Sequence, residues 1–403
     1  MLSHKNIKNN IASFYLFYFF SSFIFYMPFF AVFFEKTRGL TNNEIVYLFS
    51  VFSISMFLFE LPTGLIADRF GEKTSLFLGS VLIFLSTLFL TFGSYWYIFF
   101  GEVLFAIGRT LHSGANQSLV YNYFEENKQA IQNKFQYKKV LSNCMTLVWS
   151  SIASASLLSY YLNTVNHFFP FYATIASTLV LTFITAFLPT VNIKRQGSLF
   201  VITKKSFIEI FSNRTLKIWC FIYVILNSFV IVGYQILQPY LNEINLASSK
   251  NGLIYFFITI FGILSSKTTP QVKKILKNSY VFVAVLSLLF GLAFINLALS
   301  IETLFYIIAV MCLYRFLWGY LTPTLVEAIN TSFKENSIRS SVFSVCSLFA
   351  NFFSFSLLFL FAKLSPSIAV NYFILAIFSI ILGLVIGIAS LGKKLTITKR
   401  ETT

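Results

Sequence analysis

Twelve long apolar stretches dominate this sequence, and they constrain its fold more than any other feature. Only 11% of the residues are charged and 57% are hydrophobic, whereas a soluble domain has about 25% charged residues. A helix needs about 20 apolar residues to cross a bilayer. Backbone groups in lipid must find partners within the segment, and the alternating pattern of a barrel strand is missing, so the stretches are expected to be helices. The predicted spans are 10–34, 45–66, 75–92, 96–119, 140–162, 168–188, 216–240, 252–266, 280–299, 304–325, 341–362 and 368–391.

Lysine and arginine are distributed unevenly between the loops. If the N-terminus is cytoplasmic, 24 of the 30 basic residues lie in cytoplasmic loops and tails and four lie in outer loops. The other two, Arg109 and Arg315, lie within spans. Basic residues collect on the cytoplasmic side of membrane proteins, so both termini are predicted to be cytoplasmic. The same rule accounts for the net charge of +16 without nucleic acid as a partner.

One connection, 189–215, is longer than the others, and it is polar and basic. It predicts an N-terminal half of six spans at 1–190, a cytoplasmic linker at 191–214, and a C-terminal half at 215–403 with a short tail. The ends of the fourth and tenth spans also echo each other, as FEEN at 124–127 and FKEN at 333–336. Related halves are a common construction of transporters.

A short segment between the second and third spans, GLIADRFGEK at 64–73, contains Asp68, the one aspartate of the chain. Its pattern resembles motif A of the major facilitator superfamily. FELPTG at 59–64 and SGA at 113–115 resemble a bacterial branch that includes drug-efflux-like members. The resemblance implies an all-α membrane protein of two pseudo-symmetric six-helix bundles, which transports by alternating access.

In that family the segment acts as a latch between the two halves, and its residues here are Gly64, Asp68, Arg69, Gly71 and Lys73. Glycine allows a sharp turn, and a carboxylate at a helix N-terminus gains roughly 0.3–1 kcal/mol. The alternative is a turn that only fixes orientation. Asn122 occupies a position where an acidic partner is common, so either Glu125 or Glu126 substitutes for that partner or the latch is weaker.

Apart from Lys217 at the edge of the seventh span, four charged residues lie inside predicted spans: Glu60, Glu102, Arg109 and Arg315. Each costs at least about 2.5–3.5 kcal/mol unless it faces a cavity or a partner. At 100° per residue, the polar residues of span four fall within about 40° of one direction, with His112 beside them. The predicted substrate-cavity residues are Glu102, Arg109, His112, Ser113 and Asn116 in span four, and Arg315 and Trp318 in span ten.

These charges allow several roles. The two arginines either bind an anionic solute or form hydrogen bonds with carboxylates and carbonyls between packed helices. Alternatively, Arg109 tunes the pKa of Glu102 or Glu60 in a proton relay. Glu60 is either a proton carrier or a brace for the motif A turn. Glu102 is either an outer proton port or the partner of Arg109. Gln235 and Gln238 form either an outer gate or interfacial hydrogen bonds.

Some family features are missing from the sequence. Span one has no acid before Glu35, and span five, at 140–162, has no glycine, so it lacks the antiporter motif of drug/proton exchangers. Of the proton motif of span four, Arg109 is present, but His112 and Ser113 replace its glutamine and glycine. The second copy of motif A, expected at 266–279, has become a lysine-rich loop.

We therefore expect a secondary transporter that exports a small amphipathic compound, with proton coupling left open. The alternatives are uptake or facilitated diffusion of a small anionic metabolite, and a non-transporting sensor or scaffold with the same fold. No enzyme is expected, because no paired nucleophile and base and no cluster of metal ligands occurs. We expect no cofactor, metal or nucleic acid. The expected partners are a small-molecule solute and the lipid bilayer, with protons as a partner left open. The protein is expected to be a monomer in the bacterial inner membrane.

Overall fold

The computed structural model describes residues 4–131, 135–191, 199–244, 250–275, 278–299, 303–332 and 339–401, and all regular structure in these ranges is helical. The helices are α1 (His4–Phe20), α2 (Phe30–Arg38), α3 (Asn42–Phe70), α4 (Glu72–Phe92), α5 (Tyr95–His112), α6 (Ala115–Glu126), α7 (Lys128–Ile131), α8 (Tyr137–Val165), α9 (Phe169–Ala186), α10 (Leu199–Ser212), α11 (Arg214–Gln235), α12 (Leu237–Glu243), α13 (Asn251–Ile275), α14 (Ser279–Ala298), α15 (Leu304–Asn330), α16 (Arg339–Leu364) and α17 (Ile368–Glu401). The chain forms two compact units, Met1–Lys205 with Ser249–Phe256 and Ser206–Ser248 with Phe257–Thr403.

Ten segments of the described chain are helical, long enough and apolar enough to cross a membrane. They correspond to the second, third and fifth to twelfth predicted spans. The prediction of one continuous helix over 10–34 is wrong, because α1 ends at Phe20 and α2 begins only at Phe30. The prediction over 96–119 is also wrong, because α5 ends at His112 and α6 begins at Ala115.

The break after α1 is held by side chains of α9. The N–H groups of Phe25 and Tyr26 both donate to Thr174 Oγ1, at 3.0 and 3.2 Å. The hydroxyl of Ser177 donates to the carbonyl of Phe23 at 2.7 Å. A buried backbone group without a partner is costly, so these hydroxyls replace bonds that a continuous helix would supply.

The break between α5 and α6 is a tight turn at Gly114. Its φ of 72° and ψ of −40° lie in a region that glycine enters readily and other residues avoid. The N–H of Ala115 donates to the carbonyl of Ser113 at 2.8 Å, which closes a γ-turn, a rare and strained conformation. The turn separates two helices within a single predicted span.

The motif A segment is mostly helical. The sequence predicts a turn over 64–73, but α3 continues to Phe70 and only Gly71, with a φ of 87°, lies between α3 and α4. Helix α4 then packs closely on α5. A Cβ at Gly108 would lie 2.6 Å from Ile83 Cγ1 and 2.8 Å from the carbonyl oxygen of Gly79. Small residues allow such close helix contacts in membranes.

In the second unit, α14 lies against α17, where Ser287 Oγ donates to the carbonyl of Ser379 at 2.7 Å. The helix of the eighth predicted span, α13, is longer than the predicted 252–266, because it continues to Ile275. Most of the expected loop at 266–279 is therefore helical, and Lys273 from this stretch forms an ion pair with Glu327 of α15. More than half of the linker predicted at 191–214 is helical and forms α10. Residues 333–336, used in the comparison of the two halves, lie outside the described residues.

Candidate functional site

A cavity of about 300 Å³ lies in the first unit, beside the two helix breaks. Its lining combines aromatic, aliphatic and sulfur-containing side chains with hydroxyl, amide, imidazole and guanidinium groups. The lining residues are Phe17, Tyr18, Ser21, Ser22, Met56, Arg109, His112, Ser113, Asn116, Gln117, Met145 and Val148. Four of the predicted cavity residues of span four are therefore together at one site.

Arg109 is the cation of this cavity. Its Nη1 donates to the carbonyl of Ser21, in the break after α1, at a long distance of 3.4 Å. Within the described residues this is its one hydrogen bond, and no ion pair involves it. A guanidinium has five N–H donors and is permanently charged. Arg109 thus reaches the cavity with most of its donor capacity unused.

Glu60 approaches the same cavity from α3. Its Oε1 accepts a hydrogen bond of 3.1 Å from the hydroxyl of Ser113, which lines the cavity. The described residues give the Glu60 carboxylate no other partner, and no ion pair between Glu60 and Arg109. The Glu60 side chain therefore contacts the cavity wall, although Glu60 itself is not part of the lining.

His112 and Glu102 are both buried, at 4% exposure each. His112 Nε2 lies 3.0 Å from the carbonyl oxygen of Leu76 and 3.1 Å from Ser80 Oγ, so it ties α5 to α4 in addition to lining the cavity. Glu102 does not line the cavity, and it makes no hydrogen bond or ion pair within the described chain. The predicted pairing of Glu102 with Arg109 is not present.

The motif A residues occupy the junction of α3 and α4. Asp68 and Arg69 lie in the last turn of α3, where the exposed Arg69 guanidinium is 5.4 Å from the centroid of the Phe70 ring. Lys73 lies in the first turn of α4, and Gly64 lies inside α3.

Glu72, a buried residue of this junction, was not predicted from the sequence. Glu72 is only 6% exposed, and its Oε1 accepts a hydrogen bond of 2.8 Å from Asn122 Nδ2. Glu125 and Glu126, the expected substitutes for an acid at 122, are exposed. The amide at Asn122 was the signal that could have led to Glu72, because an amide donor in place of an acid suits a carboxylate partner.

The second unit contains the remaining predicted residues. The Arg315 guanidinium lies 3.9 Å from the centroid of the Trp318 ring and 5.4 Å from that of Tyr234. Such cation–π contacts hold an arginine in one orientation. Gln235 and Gln238 flank Ile236, where α11 ends and α12 begins, and Gln238 is buried.

Residues 11–355 match the profile of the Major Facilitator Superfamily. The chain belongs to the major facilitator superfamily. The uncharacterized MFS-type transporter YxaM of Bacillus subtilis (strain 168) is 24% identical to this major facilitator over 252 residues. The match covers 59% of this chain and 60% of that relative.

Two solved structures share the fold of this major facilitator. The POT family transporter PepTSo superposes with a TM-score of 0.76 at 14% identity, covering 98% of this chain and 99% of that one. The nucleoside transporter NupG superposes with a TM-score of 0.72 at 13% identity, covering 95% and 98%. At these identities the likeness shows the fold alone. The predicted all-α superfamily fold is confirmed, and the chain is a multi-pass membrane protein.

Proposed function

We propose that this major facilitator exports a small amphipathic solute by alternating access, in exchange for protons. The observation that supports this proposal is the mixed lining of one small cavity beside two broken spans. Helix breaks at membrane depth mark solute sites in other transporters, because they present polar backbone to a cavity. Arg109, Ser113 and Asn116 can bind polar groups of the solute, while Phe17 and Met145 suit an apolar part.

Glu60 is the proposed proton carrier. It is the acid in hydrogen-bond contact with a cavity-lining residue, Ser113, and acids inside spans commonly relay protons. The rival role, bracing the motif A turn, is less well supported by geometry, because the one side-chain partner of Glu60 in the described chain is Ser113 and not a residue of the turn. Glu102, a buried acid on the same helix as Arg109, is the second candidate for proton coupling.

The other predicted roles remain part of this proposal. The motif A residues of α3 and α4 would act as the latch of alternating access. Arg315 and Trp318 would serve solute binding in the second half, and Gln235 and Gln238 would form the outer gate. The transporter is proposed to be a monomer in the bacterial inner membrane. The two halves are proposed to follow the predicted division at the 191–214 segment.

A second candidate function is uptake or facilitated diffusion of a small anionic metabolite. It is favoured by Arg109, whose one hydrogen bond in the described chain is long. A cation with unused donors inside a membrane is well suited to an anion. The two candidates differ in direction and in their need for a proton gradient.

Transport in everted membrane vesicles separates the two candidates. Vesicles are energised to acidify their interior, and a library of amphipathic solutes is screened for proton release with a pH-sensitive dye. We expect solute-dependent release with the wild type and with Glu35→Gln, which changes an exposed acid of α2. Glu60→Gln should abolish the release. Equal solute flux with and without the gradient would refute proton exchange.

A further inference from the structure

We infer that the solute is a zwitterion, an amphipathic compound with one acidic and one basic group. The inference rests on the proposed function, because it assigns the chemical class of the solute that binds in the same cavity. It follows from how the two charged residues at this cavity are placed.

Two opposite charges lie at one cavity without pairing with each other. Arg109 lines the cavity and Glu60 bonds to the lining residue Ser113, and the described residues contain no ion pair between them. A charged side chain within a span is costly and is usually paired or exposed to a water-filled cavity. Two side chains of opposite charge that do not pair with each other suit a ligand with two complementary charges.

Ser113 places the two charges on the same part of the wall. It follows Arg109 by four residues, about one helical turn, and its N–H donates to the carbonyl of Arg109 at 2.9 Å. Its hydroxyl donates to Glu60. Arg109 and Glu60 are therefore both linked to Ser113, at the γ-turn, and the inferred solute would lie beside this residue, where its two charged groups would contact Arg109 and Glu60.

The two side chains differ in what they can bind. A guanidinium binds a carboxylate through two parallel N–H donors. A carboxylate such as that of Glu60 only accepts hydrogen bonds, so it suits an ammonium group. A solute with only a basic group would leave the charge of Arg109 without compensation in a mostly apolar setting, which is unfavourable, and a solute with only an acidic group would leave Glu60 to be neutralised by a proton.

The rest of the lining limits the solute further. Phe17, Met56, Met145 and Val148 provide apolar contact surface, and methionine side chains adapt to different apolar shapes. The cavity of about 300 Å³ is at the small end of the range for ligand pockets. An apolar amino acid or a compound of similar size fits these limits.

Binding to the purified protein tests this inference. The probes are the apolar amino acids and short apolar dipeptides, each beside its N-acetyl derivative and its methyl ester, and the readout is calorimetry. We expect at least one zwitterion to bind and both of its capped derivatives to bind about 10-fold to 100-fold more weakly, because each loses a hydrogen-bonded charge. The inference is wrong if a capped derivative binds as tightly as its parent, or if no zwitterion of the panel binds.

Two variants assign the two groups. Arg109→Gln should remove the preference for the free carboxylate and retain the preference for the free amine, with Arg109→Lys keeping part of the carboxylate preference. Glu60→Gln should do the reverse, and Glu35→Gln should behave as the wild type. If both variants lose both preferences equally, while Arg109→Lys keeps part of the carboxylate preference and Glu35→Gln binds as the wild type, the assignment of the groups is refuted.

The proposed function can fail separately from this inference. If a zwitterion binds with the expected preferences but no probe moves against a gradient in vesicles, export is wrong and the binding class stands. If a solute without both charges is exported in exchange for protons, the zwitterion inference is wrong and the proposed function stands.

Discussion

At the scale of single residues, the bond between Glu72 and Asn122 is the clearest case of a contact that sequence patterns do not reveal. The two residues are 50 positions apart, and Glu72 is not among the motif A residues singled out from the sequence. Its burial at the start of α4 places the carboxylate where a helix N-terminus favours negative charge. Asn122 then supplies a neutral donor, so this contact needs no second charge.

Replacing Asn122 with leucine should destabilise the protein by about 1.5–3 kcal/mol, the usual value of a hydrogen bond to a charged group. Leucine has a similar size but cannot donate to the Glu72 carboxylate, which would stay buried. The measurement is the thermal unfolding temperature of the purified protein in detergent. Glu125→Gln, at an exposed acid near the end of the same helix, is the control and should change little. An equal effect of the two substitutions would contradict the role of the bond.

Arg109, Ser113 and Asn116 show what sequence reasoning can achieve at this scale. They fall on one polar stripe of an otherwise apolar segment, and all three line one cavity. Glu102 fits the stripe equally well but is buried away from the cavity. A helical wheel gives the direction of a side chain but not its depth, so it could not separate Glu102 from the others.

At the scale of helices, Thr174 is central to the break of the first span. Its hydroxyl oxygen accepts from two N–H groups of that break and donates to the carbonyl of Pro170 at 2.8 Å. Thr174 has no exposed surface. The sequence of 10–34 could not reveal this break, because the acceptor that makes it possible is about 150 residues away.

Thr174→Val should therefore lower stability by about 1–3 kcal/mol, since valine leaves two buried N–H groups without their acceptor. It should also reduce solute binding, because Ser21 and Ser22 of the same break line the cavity. Unfolding temperature and calorimetric affinity are the measurements. Thr182→Val on the same helix removes only a bond to the carbonyl of Thr178 and is the matched control. Unchanged binding in Thr174→Val would show that the break does not shape the site.

At the scale of the whole molecule, the uneven distribution of basic residues predicts how the chain crosses the membrane. Twenty-four of 30 lysines and arginines lie on one predicted side, and such a bias sets orientation. This prediction depends on the two broken spans, because the orientation of every later segment is set by whether each of them crosses the membrane. If α1 with α2, and α5 with α6, each cross once, both termini are cytoplasmic.

Labelling of the variants Lys36→Cys and Lys128→Cys tests whether the two broken spans cross. Position 36 lies after the first predicted span, and position 128 lies after the fourth. Both positions are exposed, and the four native cysteines are buried, so background labelling should be low. In intact cells a membrane-impermeant maleimide should label Lys36→Cys but not Lys128→Cys, and in everted vesicles the result should reverse. Labelling of both positions from the same side would mean that the fourth, broken span does not cross. Labelling of Lys128→Cys but not Lys36→Cys in intact cells would mean that the first span does not cross, and in either case the predicted twelve crossings would be wrong.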